Sequence, residues 1–167
     1  MGINLDESNC VVYLVACQAQ STIYVKIGRS RNLRRRLSNI QTGCPHQITD
    51  VFVIASEFED EVDGLERLLR LLLKEDRLRG EWYQGSDRFF GTLDHILVCI
   101  NAGEFSYDEI YEVSETGHGS ELEIMLHKHH FSFKRIPLSP RRVLQFSNEL
   151  VDINPSEIAK ALFREES

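Results

Sequence analysis

Acidic side chains are missing from one long stretch of an otherwise acidic chain. The 167 residues carry a formal charge of −7, yet no Asp or Glu stands between Glu7 and Asp50. Over the same stretch Lys26, Arg29, Arg31, Arg34, Arg35 and Arg36 supply six positive charges. Long apolar runs are also absent: nothing approaches the ~20 residues needed to cross a bilayer. The opening Met-Gly-Ile-Asn-Leu-Asp-Glu lacks a signal peptide's basic and apolar regions. A membrane partner is therefore not expected, and cytoplasm is the expected compartment. Cys10, Cys17, Cys44 and Cys99 lack the close pairing of a zinc site, so reduced and mostly buried thiols are expected. His127, His129 and His130 cluster without a cysteine or carboxylate at ligand spacing, which argues against a structural metal there.

What is present is a small α/β pattern. Val11 to Ala16 and Ile23 to Gly28 are short runs rich in β-branched residues, separated by the polar Gln18-Ala19-Gln20-Ser21. An antiparallel hairpin is the economical pairing. Gly28 stands where a side chain would obstruct close approach of backbone or ligand. A helix follows, capped by Ser30 or Asn32, reaching about Gln41, with Gly43 suited to its C-terminal end. At ~100° per residue Leu33, Leu37 and Ile40 share one face, and Arg36 lies about 60° from Leu33 at the border of that stripe. Arg35 points into solvent. Arg36 is thus the arginine that packing can hold in place, and a held guanidinium grips phosphate with two parallel hydrogen bonds.

Asp50 to Ser56 reads as a third, mostly buried strand. An apolar helix is expected from Asp63 to Glu75 with Leu65, Leu68, Leu69 and Leu72 inward and Glu66 beside them. Arg77 to Tyr83 reads as one short closing strand. A linker and helix over Ser86 to Ala102 follow, with Leu93, Ile96, Leu97 and Ile100 as the apolar stripe. From Glu104 to Glu123 inclusive there are seven acidic residues and no Lys or Arg. Asp108 to Glu115 echoes Asp50 to Glu57, with Glu123 and His127 placed much as Glu66 and Arg70 are. A partial duplication of the fold's second half, or chance likeness of two strand–helix pieces, accounts for this. Lys134-Arg135 leads into an apolar helix over Val143 to Leu150, and Asn154-Pro155 begins a last short helix.

In this order, Tyr13, Lys26-Ile27-Gly28-Arg29, Arg36, Thr42-Gly43-Cys44-Pro45, Glu66 and Gly80-Glu81-Trp82-Tyr83 resemble the GIY-YIG endonuclease superfamily. The closest likeness is to its bacteriophage and mobile-element branch, with a KIG second motif and a GEW terminal strand. The matching residues span about 10 to 86. The resemblance implies an α/β fold in the α+β sense: a small three-stranded antiparallel sheet flanked by helices as a nuclease domain over 10–86. A mostly helical C-terminal extension over 87–167 would follow. It further implies a metal-dependent endonuclease acting on nucleic acid, with double-stranded DNA the favoured substrate. Tyr13 would assist water attack, Arg36 and Arg29 would bind phosphate, Lys26 would occupy the second-motif position, and Glu66 would hold Mg²⁺ or Mn²⁺. Such chemistry needs an activated water and neutralised transition-state charge. A phenol has an unperturbed pKa of ~10, so a tyrosine base requires that neighbouring cations lower it.

The sequence departs from that family's pattern where Val11-Val12 replaces the first-motif glycine, Lys26 the second-motif tyrosine, and Arg70 a frequent histidine. Plainer readings stand beside these roles. Tyr13 reads equally as a half-buried strand aromatic, Arg36 as a solvated helix residue, and Trp82 as core packing. Glu66 and Arg70, four apart, form a helix ion pair worth ~0.3–0.5 kcal/mol. A catalytically inactive nucleic-acid-binding module on the same fold is the alternative function.

Overall fold

A computed structural model describes residues 10–102, 131–138 and 150–163. The Val11 and Ile23 runs form strands β1 (Val11–Ala19) and β2 (Thr22–Ser30), paired antiparallel from Val11↔Ser30 to Ala19↔Thr22. Helix α1 (Leu33–Gly43) follows, its Asn32 cap accepting from the Arg35 amide at 3.0 Å. Strand β3 (Ile48–Ala55) then returns along the other side of β1. Helix α2 (Glu59–Leu72) starts four residues before the expected Asp63. Phe58 at the N-cap makes no side-chain capping bond, so no capping residue marks the start in the sequence. Locally, the Ser56 hydroxyl accepts from the Phe58 amide and donates to the buried Glu61 carboxylate.

The expected single strand over Arg77 to Tyr83 is two strands, β4 (Arg77–Arg79) and β5 (Trp82–Gln84), joined by the two-residue turn Gly80-Glu81. Gly80 has φ +59°, a conformation that favours glycine at the first position of such a turn. Helix α3 (Asp87–Ala102) buries Leu93, Ile96, Leu97 and Ile100 as the period required.

The three-stranded sheet is corrected by the structure. Among the described residues the sheet has seven strands in the order β4-β5-β2-β1-β3-β6-β7, all pairs antiparallel, with four helices. Strands β6 (Ser132–Arg135) and β7 (Val151–Asp152) come from the segment expected to be mostly helical. They are too short and too charged to signal strand locally. Strand β6 is held by its partner: its residues pair with Phe52 to Ala55, and Arg135 meets the buried Asp50 carboxylate at 2.9 Å. The last helix, α4 (Pro155–Leu162), is capped by Asn154 as expected and packs on α3. The acidic segment, the repeat-like stretch with Glu123 and His127, and most of the helix expected over 143–150 lie outside the described residues.

Opposed residues on antiparallel strands share a face, and alternation then sorts the sheet into two cores. Val12, Leu14, Ala16, Val25, Ile27, Phe52 and Ile54 meet Val62, Leu65, Leu68 and Leu69 of α2, together with α3 and α4. Val11, Tyr13, Val15, Val51 and Val53 meet Leu33, Leu37 and Ile40 of α1. Tyr13 therefore belongs to the α1 face, and α2 packs against the opposite one.

Candidate functional site

Three separate segments deliver polar side chains to one carboxylate on the α1 face. Tyr13 is fully buried, and its hydroxyl donates to Glu81 Oε2 at 3.1 Å. Arg36 donates from Nε to the Tyr13 oxygen at 3.0 Å and from Nη2 to Glu81 Oε2 at 3.0 Å. Lys26, opposite Val15 on the same face, places Nζ 3.4 Å from that oxygen and 5.2 Å from the Trp82 ring centre. The helical wheel had placed Arg36 at the edge of the buried stripe, and there its guanidinium is fixed by two partners.

Gly28 makes this assembly sterically feasible. It pairs with Tyr13, and a Cβ there would overlap the phenol and come within 3.0 Å of Glu81 Oε2. Glu81 itself is placed by the Gly80 turn and by its own carbonyl, which accepts from the Ile27 amide at 3.0 Å. It stands inside the Gly-Glu-Trp motif, but the sequence reading assigned it no role. The signal was there in part, as an acid following a turn glycine. What identifies it is the convergence of two cations and a phenol on it.

The electrostatics correct one expectation. The Tyr13 pKa is not lowered by its cationic neighbours. Burial pushes it up to about 12, the bond from Arg36 opposes this, and the Glu81 charge raises it further. Glu81 goes the other way: burial works against ionisation, but Lys26, the Tyr13 hydroxyl and Arg36 together hold its carboxyl below the usual range. At neutral pH the pair is thus a protonated phenol donating to a carboxylate.

Glu66 and Arg29 fall on the other layer. Arg31 pairs with Glu59 and Arg29 with Asp63, so α2 runs antiparallel to β2. Four helical residues advance ~6 Å and two strand residues ~6.7 Å, which keeps the two elements in step. The next turn of α2 therefore brings Glu66 level with Gly28, behind the sheet from Tyr13 and Arg36. Glu66 is buried, and its carboxylate accepts from Arg70 at 2.5 Å. Among the described contacts it is not joined to the Tyr13–Arg36–Glu81 network. The described residues contain no group of three side chains able to cage a metal ion.

Beside the network a cleft of about 210 Å³ opens between α1 and β5, lined by Lys26, Arg36, Asn39, Ile40, Gly43 and Trp82. Trp82 packs against the α1-side core as expected and, half-buried, also forms one of the cleft's walls.

Residues 10–102 match the T5orf172 domain. The chain belongs to this family. It is a phage-associated domain grouped with the GIY-YIG and HNH-like nucleases, and that grouping links the T5orf172 chain to nucleic acid. No curated protein and no solved structure matches the chain. No helix among the described residues is long and apolar enough to cross a membrane.

Proposed function

We propose that this T5orf172 protein is a metal-dependent endonuclease of GIY-YIG type that hydrolyses DNA phosphodiester bonds, with double-stranded DNA as substrate and the cytoplasm as its setting. The observation that carries the reading is the meeting of Tyr13, Lys26 and Arg36 on a single carboxylate beside an open cleft. Two cations sharing one anion leave a net positive charge where a phosphate would enter. Lys26 and Arg36 then turn from Glu81 to the non-bridging oxygens, where negative charge accumulates as water attacks phosphorus. Tyr13 stays protonated and serves as donor and relay, and Glu81 is the acceptor for the proton that water gives up. Arg29, on the α2 side of β2, holds a flanking phosphate once released from Asp63.

Mg²⁺ or Mn²⁺ is proposed as cofactor. Magnesium is usually bound by one or two carboxylates, with water and phosphate completing its shell. A single-carboxylate site is the form these residues fit. Glu81, the carboxylate on the cleft side of the sheet, is the residue that would hold it; Glu66, buried behind the sheet, stands away from a phosphate on Lys26 and Arg36. The ion would stabilise the leaving oxygen.

Nicking of supercoiled plasmid tests the proposal. Mg²⁺-dependent nicking that EDTA stops, and that drops strongly in Arg36→Ala and Glu81→Ala, supports it. The second reading, a binding module that does not cut, draws on the raised Tyr13 pKa. It requires salt-sensitive DNA binding that survives Glu81→Ala, with no nicking above that variant.

A further inference from the structure

The cleft beside the carboxylate cluster is built for more than a phosphate. Lys26 and Arg36 are the two lining residues that also reach Glu81. The remaining walls are an indole, the edge of Ile40, the exposed primary amide of Asn39 and the bare backbone of Gly43. A phosphate has no use for the indole face or the Ile40 edge. Gly43 in particular is not demanded by the backbone. It ends α1 without positive φ, and a Cβ added there would meet nothing within 4 Å. What glycine leaves at that point is room. At about 210 Å³ the cleft is smaller than the ~300–1,000 Å³ that encloses drug-sized ligands, so it suits a single ring system.

We infer that this cleft receives one unpaired nucleobase of the bound nucleic acid, stacked on Trp82 with its edge against Asn39, while the adjoining phosphate lies on Lys26 and Arg36. This rests on the nucleic-acid reading above and deepens it. Every base has a π-face, so stacking on an indole tolerates sequence, and a side-chain amide hydrogen-bonds the exposed base edge. A base reaches the cleft only after leaving its pair. The substrate is therefore duplex DNA that is locally opened beside the scissile phosphate, with a mismatch lowering the cost of opening.

The chain has one tryptophan, so its fluorescence reports on Trp82 alone. The full chain is titrated without divalent ions using three probes of equal length: a thymidine oligomer, an abasic oligomer with the same phosphates, and a perfectly paired duplex. The thymidine strand is expected to quench the fluorescence and to bind about fivefold or more tighter than the abasic strand. Gly43→Leu, which fills the cleft, brings that ratio towards one. Asn39→Ala, at an exposed position, lowers it and guards against a Gly43 variant that fails to fold. Equal quenching and equal affinity for thymidine and abasic strands overturn the base site while salt-sensitive binding keeps the nucleic-acid reading. Absence of salt-sensitive binding to all three overturns both.

Discussion

Replacing Glu81 by glutamine should move stability and DNA affinity in opposite directions. In the folded protein one carboxylate oxygen takes the Tyr13 hydroxyl at 3.1 Å, Arg36 at 3.0 Å and Lys26 at 3.4 Å. Hydrogen bonds to charged groups contribute ~1.5–3 kcal/mol each when well shielded. Here the acid side chain is 30% exposed and Arg36 is 40% exposed, so solvent reduces their worth. Glutamine also keeps an acceptor for Tyr13. A loss of about 1–2 kcal/mol is expected, which for a chain of this size lowers Tm by roughly 3–6 °C. Binding responds to charge instead. Two cations and one carboxylate carry a net charge of +1, and the variant carries +2. One further phosphate can then be neutralised, which steepens the log–log salt dependence by ~0.9 and tightens low-salt binding about threefold to tenfold. Thermal melts and fluorescence polarisation at several salt concentrations measure both. Acid provides an internal check. Because the folded Glu81 pKa lies below its unfolded value, its stabilisation is present above that unfolded value and lost as pH falls through the folded one. The stability gap between the two proteins should therefore close below about pH 4. An E81Q protein as stable as the parent, or one that binds DNA more weakly, refutes the assignment of Glu81 as counter-ion to a phosphate site.

Three further outcomes follow from the same geometry. Tyr13→Phe should flatten the alkaline stability profile: with a folded pKa of about 12, the phenol's contribution is complete below pH 10 and falls away between about 10 and 12, a change of up to about 2–3 kcal/mol in denaturant melts. Part of the alkaline loss should remain, because burial also raises the Tyr83 pKa. Gly28→Ala should destabilise by about 1–3 kcal/mol, since its methyl overlaps the Tyr13 hydroxyl; unchanged stability and unchanged DNA binding would show that the network yields freely. Arg135→Met should weaken the docking of β6 by removing the arginine that meets the buried Asp50 carboxylate, with faster amide exchange at Phe133 than in the parent protein as the readout.

Local pattern was enough to read the hairpin of β1 and β2, the cap and inward face of α1, the apolar stripe of α3 and the Asn154 cap of α4. Each depends on residues a few positions apart, and strand and helix periods differ enough to be told from sequence. The cation cluster and the fixed position of Arg36 were legible for the same reason. The seven-stranded sheet was not. β6 is four residues whose strand character comes from pairing with β3, about 80 residues earlier, and β4 and β5 look like one run until Gly80 turns the chain. The site divides in the same way. Composition alone marks where positive charge gathers. Only the folded sheet decides that Tyr13, Lys26 and Arg36 meet on the α1 side while Glu66 and Arg29 lie on the α2 side, because side chains alternate across a strand and their relation to a distant helix depends on how layers pack. Whether Tyr13 is acid or base is likewise a tertiary outcome. Burial and a carboxylate 3.1 Å away outweigh the arginine, and neither can be read from the order of residues along the chain.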